Sequence, residues 1–217
     1  MAVVLTAGFF SGSVWVPLIQ DPEIPDLAGA LQRSGVVWIS AGLFALAALA
    51  GGLLLQRRGA SRSGPWLLAL QLPMVLWQLF ALIPVGEIVD QRRAQPLRQL
   101  AAVVQQVHQP DEPLAMVGIN KPSLHYYSRL VVLYVGRPAS GLIDLAEQLP
   151  PTGTALLVID TTTALEPYWR QMPHQRLAAD GVYELWRVAI PALQTGAEQL
   201  EAQGVESTWR LPNPERY

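Results

Sequence analysis

Apolar positions along the 217-residue chain follow two different patterns. Over the first 85 residues they run in blocks that contain no charge: Val3–Ile19, Val36–Leu55 and Trp66–Val85, of 17, 20 and 20 residues. At 1.5 Å rise per residue, about 20 residues cross the roughly 30 Å hydrocarbon layer of a bilayer. An ionised side chain inside that layer costs a few kcal/mol or more. The second and third blocks meet the length and the first sits at its short end. The pattern therefore predicts three transmembrane helices, over about 3–19, 36–55 and 66–85. A signal peptide is the competing reading of the first block. It is disfavoured because no Lys or Arg precedes the apolar run and Pro17-Leu18-Ile19-Gln20 is no small-x-small cleavage site.

From Gly86 the pattern becomes that of an α/β domain. Leu97, Leu100, Ala101, Val104 and Val107 recur at helical spacing within 94–108, and Pro110 and Pro113 close that helix. Short apolar runs bounded by turn residues predict strands at 114–118, 130–135, 155–160 and 182–188, with helices at 123–129 and 141–149 between them. Strands alternating with helices imply a small mixed or parallel sheet with helices on its faces. The fold class is then membrane α-helical, with three transmembrane helices, followed by a small extracytoplasmic α/β domain. Its parts are 1–85 (membrane), 86–190 (α/β domain) and 191–217 (peripheral tail, with a short helix at 194–203).

Composition sharpens this division. Charged residues make up 15% of the chain, against about 25% in soluble domains. Only seven lie in 1–85: Asp21, Glu23, Asp26, Arg33, Arg57, Arg58 and Arg62. The net charge of −2 gives no electrostatic footprint for nucleic acid, and the absence of cysteine excludes a disulfide scaffold. The loop 56–65 carries three arginines and no acid, whereas 20–35 carries three acids against Arg33. Basic short loops stay cytoplasmic. The N-terminus is accordingly expected in the cytoplasm and the C-terminal domain outside. Trp15, Trp38 and Trp66 fall near block ends, as indoles at a lipid–water boundary do, whereas Trp77 falls where it would pack between helices. Gln71 and Gln78, seven apart on one helical face with Pro73 between them, either line a groove or hydrogen-bond across helices. Gly42, Ala45, Ala48, Gly51 and Gly52 permit close helix approach.

Candidate chemistry is sparse. There is no Gly-x-Gly-x-x-Gly, Walker loop, His-Glu-x-x-His or Gly-x-Ser-x-Gly. His108, His125 and His174 are widely separated and read as surface or turn residues, so no metal site is expected. Asp160, ending a strand, occupies a position where α/β proteins gather ligands, but it equally suits a turn or cap with Thr161–Thr163. One segment stands out: Gly118-Ile119-Asn120-Lys121-Pro122-Ser123-Leu124-His125-Tyr126-Tyr127-Ser128-Arg129. Lys121, the only lysine among 15 basic residues, sits between a strand and a helix start, where Pro122 and Ser123 fit the junction and free N–H groups favour an anion. The segment either binds a phosphate or lipid headgroup, or its lysine is an ordinary loop residue and its tyrosines pack the domain.

Lys121, Pro122, Ser123, Leu124, Tyr126, Tyr127 and Arg129 form a Lys-Pro-Ser-aliphatic-x-aromatic-Tyr stretch in an α/β domain that directly follows a transmembrane helix. This stretch resembles the C-terminal end of bacterial GT-C integral-membrane glycosyltransferases, the relatives of aminoarabinose transferases and protein O-mannosyltransferases. The resemblance covers about residues 36–190. It implies an inner-membrane enzyme that moves a sugar from a polyprenyl-phosphate carrier (undecaprenyl or dolichyl) to an acceptor on the outer face. It also implies lipid-phosphate contacts at Lys121, Ser123, Tyr126, Tyr127 and Arg129. In that family the catalytic acids belong to the first external loop of a chain with many more spans, so no catalytic role passes to Asp21, Glu23 or Asp26. The chain then corresponds to a C-terminal fragment or split part that has no cofactor of its own. Its partners would be the bilayer and a missing N-terminal membrane portion. The alternative is a stand-alone membrane-anchored binding or assembly module without catalysis.

Overall fold

The computed structural model describes residues 2–21, 23–56 and 64–208, in two compact units, Met1–Arg93 and Ala94–Tyr217. The arginines expected to hold the cytoplasmic loop, Arg57, Arg58 and Arg62, lie outside the described residues, as does the end of the tail from 209.

In the first unit the block expected as one span at 3–19 is broken. It forms α1 (Ala2–Phe10), a short α2 (Gly12–Trp15) and a 3-10 turn Val16–Leu18. The break falls where the chain passes closest to its neighbour: a Cβ at Gly12 would lie 2.3 Å from Val37 Cγ1. Ser11 Oγ and Trp15 Nε1 both donate to Gly8 O at 2.8 Å, and Pro17, without an N–H, sits in the turn that ends the run. After α3 (Leu27–Ser34), Gly35 at φ +71° caps the helix in the left-handed conformation that glycine adopts without strain. α4 (Val36–Gln56) then fills the second predicted span.

The third predicted span lies inside a longer helical run: α5 (Gly64–Trp77), a π turn Gln78–Leu82 and α6 (Ile83–Arg93). Pro73 lies within α5 without ending it. The π turn precedes Pro84. Ile83 N–H reaches back five residues to Gln78 O, a register that accommodates a proline lacking its own donor. The helix continues past Val85, and the boundary between the units falls at Arg93/Ala94, later than the change in composition at 86.

Two helices, through the windows Val36–Leu53 and from Gln71 onward, are long and apolar enough to cross a membrane. Only 28% and 6% of those windows is buried. A soluble core helix hides its apolar face, but here Leu46, Leu49, Leu53, Leu72, Val75, Leu79 and Phe80 point outward. A Cβ at Gly42 or Gly52 would meet nothing within 4 Å among the described residues, so the close approach these glycines permit is not used by another described helix. The tight contact is at Gly12. The polar link between helices is also placed differently. Trp77 Nε1 donates to Ser40 Oγ at 2.9 Å, and Ser40 Oγ donates to Val36 O at 2.7 Å. The Trp77 ring packs with Phe9 and Phe44, as its mid-segment position implied. Gln71 and Gln78 are exposed and hydrogen-bond no other helix among the described residues.

The second unit is a five-stranded mixed sheet of order β2-β1-β3-β5-β4. α7 (Gln95–Val107) leads to β1 (Leu114–Val117), α8 (Ser123–Ser128), β2 (Val132–Val135), α9 (Ser140–Gln148) and β3 (Thr154–Asp160). The short α10 (Thr161–Ala164) and α11 (Pro167–Arg170) precede a hairpin of β4 (His174–Asp180) and β5 (Tyr183–Ala189), and α12 (Ile190–Ala202) follows. β1 pairs parallel with β2 and β3, and β5 pairs antiparallel with β3 and β4. Alternation along each central strand sends Leu114, Met116, Leu156 and Val158 toward α7 and α8. The intervening Ala115, Val117, Leu157 and Ile159 face α9 and α12. The expected helices and strands are present, with β4, α10 and α11 in addition.

The peripheral tail expected from 191 requires correction over its described part. α12 buries Leu193, Ala197 and Leu200 against the sheet, because these residues fall on one helical face. Beyond it, Ser207 Oγ and Thr208 N–H both donate to Asp144 Oδ1, at 2.7 and 2.8 Å.

Candidate functional site

The parallel strands β1, β2 and β3 end side by side, and the connections leaving them go to different faces: α8 packs on one, α9 on the other. In open α/β sheets ligands gather at such carboxyl ends. Here the ends bring together the turn Gly118–Asn120, the turn Gly136-Arg137 and Asp160. Asp160 is 1% exposed. It caps α10, accepting from Thr163 N–H at 2.9 Å and Thr163 Oγ1 at 2.6 Å, and it takes Ile119 N–H at 3.1 Å. Arg137 Nη2 lies 3.7 Å from its other oxygen, and Arg137 Nε donates to Thr163 Oγ1 at 3.2 Å. Gly118, at φ +89°, leaves room for this carboxylate: a Cβ there would lie 2.0 Å from Asp160 Oδ2. Both oxygens are committed, so Asp160 organises the turns rather than acting as a free base. Arg137, half-exposed and fixed by Thr163, brings a guanidinium to the crevice. The sequence reading does not single it out. The Gly136-Arg137-Pro138 turn directly after a buried strand is the signal that could have found it.

The five residues expected to contact lipid phosphate all lie on the loop after β1, on α8 and at its end. Buried Leu124 seats α8 on the sheet, and Gln105 Nε2 on α7 donates to Tyr127 O at 2.9 Å and Ser128 O at 3.3 Å. Lys121 is held through its backbone, with its N–H on Met116 Sδ at 3.3 Å and its carbonyl accepting from Tyr134 Oη at 3.3 Å. Burial pushes the Tyr134 phenol above its usual range, keeping it protonated as that donor. Ser123 is the first helical residue, and Pro122 before it makes no side-chain cap. Since α8 has six residues, it offers no extended helix dipole to an anion.

Tyr127 is engaged within the unit: Arg98 Nε donates to its hydroxyl at 3.1 Å, and the guanidinium carbon lies 5.4 Å from its ring centre. Tyr126 is 78% exposed, edge-on to Tyr127. Arg129 adopts φ +59° as the C-cap of α8, and its side chain has no hydrogen bond or ion pair among the described residues. Tyr126 and Arg129 are thus exposed on α8 and at its end, and Tyr127 is held by Arg98.

The histidines serve turns. His108 Nε2 pairs with Glu112 O at 2.8 Å, His125 Nδ1 with Leu130 O at 2.6 Å and His174 Nδ1 with Met172 O at 2.8 Å. No cluster of three metal-ligating side chains occurs among the described residues.

The comparisons with known proteins bear on the resemblance read from Lys121–Arg129. Residues 107–204, a little under half of the chain, match the C-terminal domain of cyanobacterial RgtA-type glycosyltransferases. ArnT from Cupriavidus metallidurans bound to undecaprenyl phosphate is similar in fold at 19% identity and a TM-score of 0.56, over 86% of this chain and 35% of that one. Its apo state matches at 19% and 0.53, over 90% and 36%. The chain spans about a third of the length of these ArnT chains. No curated protein matches it. The resemblance to the C-terminal part of a GT-C glycosyltransferase, expected from Lys121–Arg129, is borne out.

Proposed function

We propose that this chain supplies the C-terminal part of a glycosyltransferase that uses a polyprenyl-phosphate sugar, passing the glycosyl group to an acceptor on the outer membrane face. The match of residues 107–204 to the RgtA-type C-terminal domain carries this reading. The ArnT relative of similar fold is bound to undecaprenyl phosphate, which supports a lipid-linked donor here. In this proposal the chain crosses the inner membrane three times, with the broken segment 3–19 as the first span and the N-terminus cytoplasmic. Chemistry is supplied by further membrane helices and their external acidic loop. The outer unit contributes Lys121, Ser123, Tyr126, Tyr127 and Arg129 as contacts to the carrier phosphate. Lys121 and Arg129 provide charge-assisted hydrogen bonds, Ser123 a hydroxyl donor, and the tyrosines an amphipathic surface suited to a headgroup region.

The test is titration of the full chain in lipid nanodiscs with undecaprenyl phosphate. Replacing Lys121 and Arg129 together by Ala should weaken binding roughly tenfold or more, as loss of charge-assisted contacts does, with the circular dichroism of the protein unchanged. Equal affinity in the double variant would remove these residues from the carrier site.

A further inference from the structure

On the far side of the second unit, away from α8, an open groove of about 640 Å³ runs between α12 and the segment from α11 to Pro173. That volume is within the roughly 300–1,000 Å³ of small-ligand sites. Among the described residues no charged side chain lines it. Thr195 and Gln199 of α12, with Gln203 at its C-cap, form one wall, and Gln171 with Tyr168 forms the other. The amides of Gln171, Gln199 and Gln203 make no hydrogen bond among the described residues. Thr195 Oγ1 donates only to Pro191 O, at 3.0 Å, leaving its lone pairs open. The Tyr168 hydroxyl donates to Arg137 O at 2.7 Å, which fixes the ring that lines the groove. On the adjoining side of α12 the character reverses: Glu198 and Glu201 with Glu147 of α9 line a separate acidic hollow. Gln194 also lines that hollow, so what separates the two sides of α12 is that its acids lie away from the groove.

We infer that this groove binds an uncharged saccharide segment. Three unpaired amides offer donors and acceptors together, as hydroxyl-rich rings require. The Tyr168 ring and the Pro167 and Pro173 side chains present flat apolar faces for sugar C–H surfaces. An anionic ligand would find no cation in the lining, and a wholly apolar one would strip water from the amides without replacing its hydrogen bonds. That the saccharide belongs to the acceptor rests on the glycosyltransferase reading; saccharide binding itself does not.

The experiment is saturation-transfer NMR on the full chain in nanodiscs, with maltotriose and chitotriose as neutral probes, an oligogalacturonate as the charged control and a glutamine-rich peptide as competitor. Transfer to a neutral trisaccharide is expected, with weaker transfer to the charged one. Gln199→Ala and Gln203→Ala should each lower affinity about three- to tenfold, as loss of single hydrogen bonds does. Thr195→Trp, which plugs the groove from an exposed position, should abolish transfer while the thermal melt is retained. Absence of transfer from either neutral sugar, transfer that persists in Thr195→Trp, or displacement by the peptide would overturn the inference. Lys121→Ala should leave saccharide transfer unchanged. Loss of lipid-phosphate binding there alongside an empty groove would therefore sink this inference and spare the proposed function, and the converse pattern would do the reverse.

Discussion

The carboxylate of Glu112, its side chain 2% exposed, receives Arg187 Nε at 2.7 Å, Arg187 Nη2 at 2.9 Å, Thr154 Oγ1 at 2.6 Å and Gln109 N–H at 3.2 Å. Burial alone would push its pKa up. The hydrogen bonds from Arg187, Thr154 and Gln109, with the charge of Arg187, outweigh burial and hold it below the ordinary carboxylate range. A carboxyl depressed on folding stabilises the fold above its unfolded pKa, about 4.3 for Glu, and that contribution disappears as pH falls through the folded value. Thermal melts should therefore show no Glu112-dependent change from neutrality down to about pH 5, then a loss of stability on further acidification. Glu112→Gln should remove that part of the acid dependence and cost about 3 kcal/mol at neutral pH, the low end for breaking a buried pair, because Arg187 keeps some solvent. A melt unchanged at pH 7 would show that the pair contributes nothing net.

At this scale the candidate site was legible only where it is contiguous. Lys121, Ser123, Tyr126, Tyr127 and Arg129 could be read together because one short segment carries them all. Arg137 and Ile119 meet Asp160 only through the parallel pairing of β1, β2 and β3, and no local pattern encodes that meeting. Asp160 was open between a ligand position and a cap. Its bonds to Thr163 and Ile119 decide for the cap.

Secondary-structure elements were legible in proportion to how strictly the core constrains them. β1 and β3 are buried on both faces and read as unbroken apolar runs. β4, with the sequence His-Gln-Arg-Leu-Ala-Ala-Asp, is an edge strand with a bulge between Arg176 and Ala178, so neither its composition nor its alternation marks it. α12 interleaves five polar residues among its apolar ones and opens on Ile190-Pro191, so its buried face at Leu193, Ala197 and Leu200 is easily taken for a tail. Its packing makes a prediction: Leu193→Ala, at a fully buried position, should destabilise the second unit by about 2–5 kcal/mol. Glu198→Ala on the exposed face should stay within about 0.5 kcal/mol. Chemical denaturation of the two variants compares them directly. Equal midpoints would mean that α12 only rests on the sheet.

At the scale of the whole molecule, the division into an apolar helical unit and an α/β unit follows from charge distribution, and the structure keeps that division while moving its boundary to Arg93/Ala94. A composition shift marks where charged residues resume, but α6 carries Glu87, Asp90, Arg92 and Arg93 without any break in the helix. The block at 3–19 was the least legible element, since hydrophobicity does not record the break at Gly12 and Pro17. Sidedness remains a prediction from the basic loop, for which Ser61→Cys is the probe. In intact cells an impermeant thiol reagent should leave this cysteine unmodified until the membrane is opened. Ready modification before that step would invert the proposed orientation.

The turn at Gln78–Leu82, followed by Pro84, has a mechanical consequence. A helix resists bending through its ladder of evenly spaced rungs, and here one rung is stretched to five residues and another is missing. The run from Gly64 to Arg93, 30 residues or about 45 Å of rod at 1.5 Å apiece, is therefore weakest near its middle. Stress from a thinner or thicker bilayer concentrates at that joint.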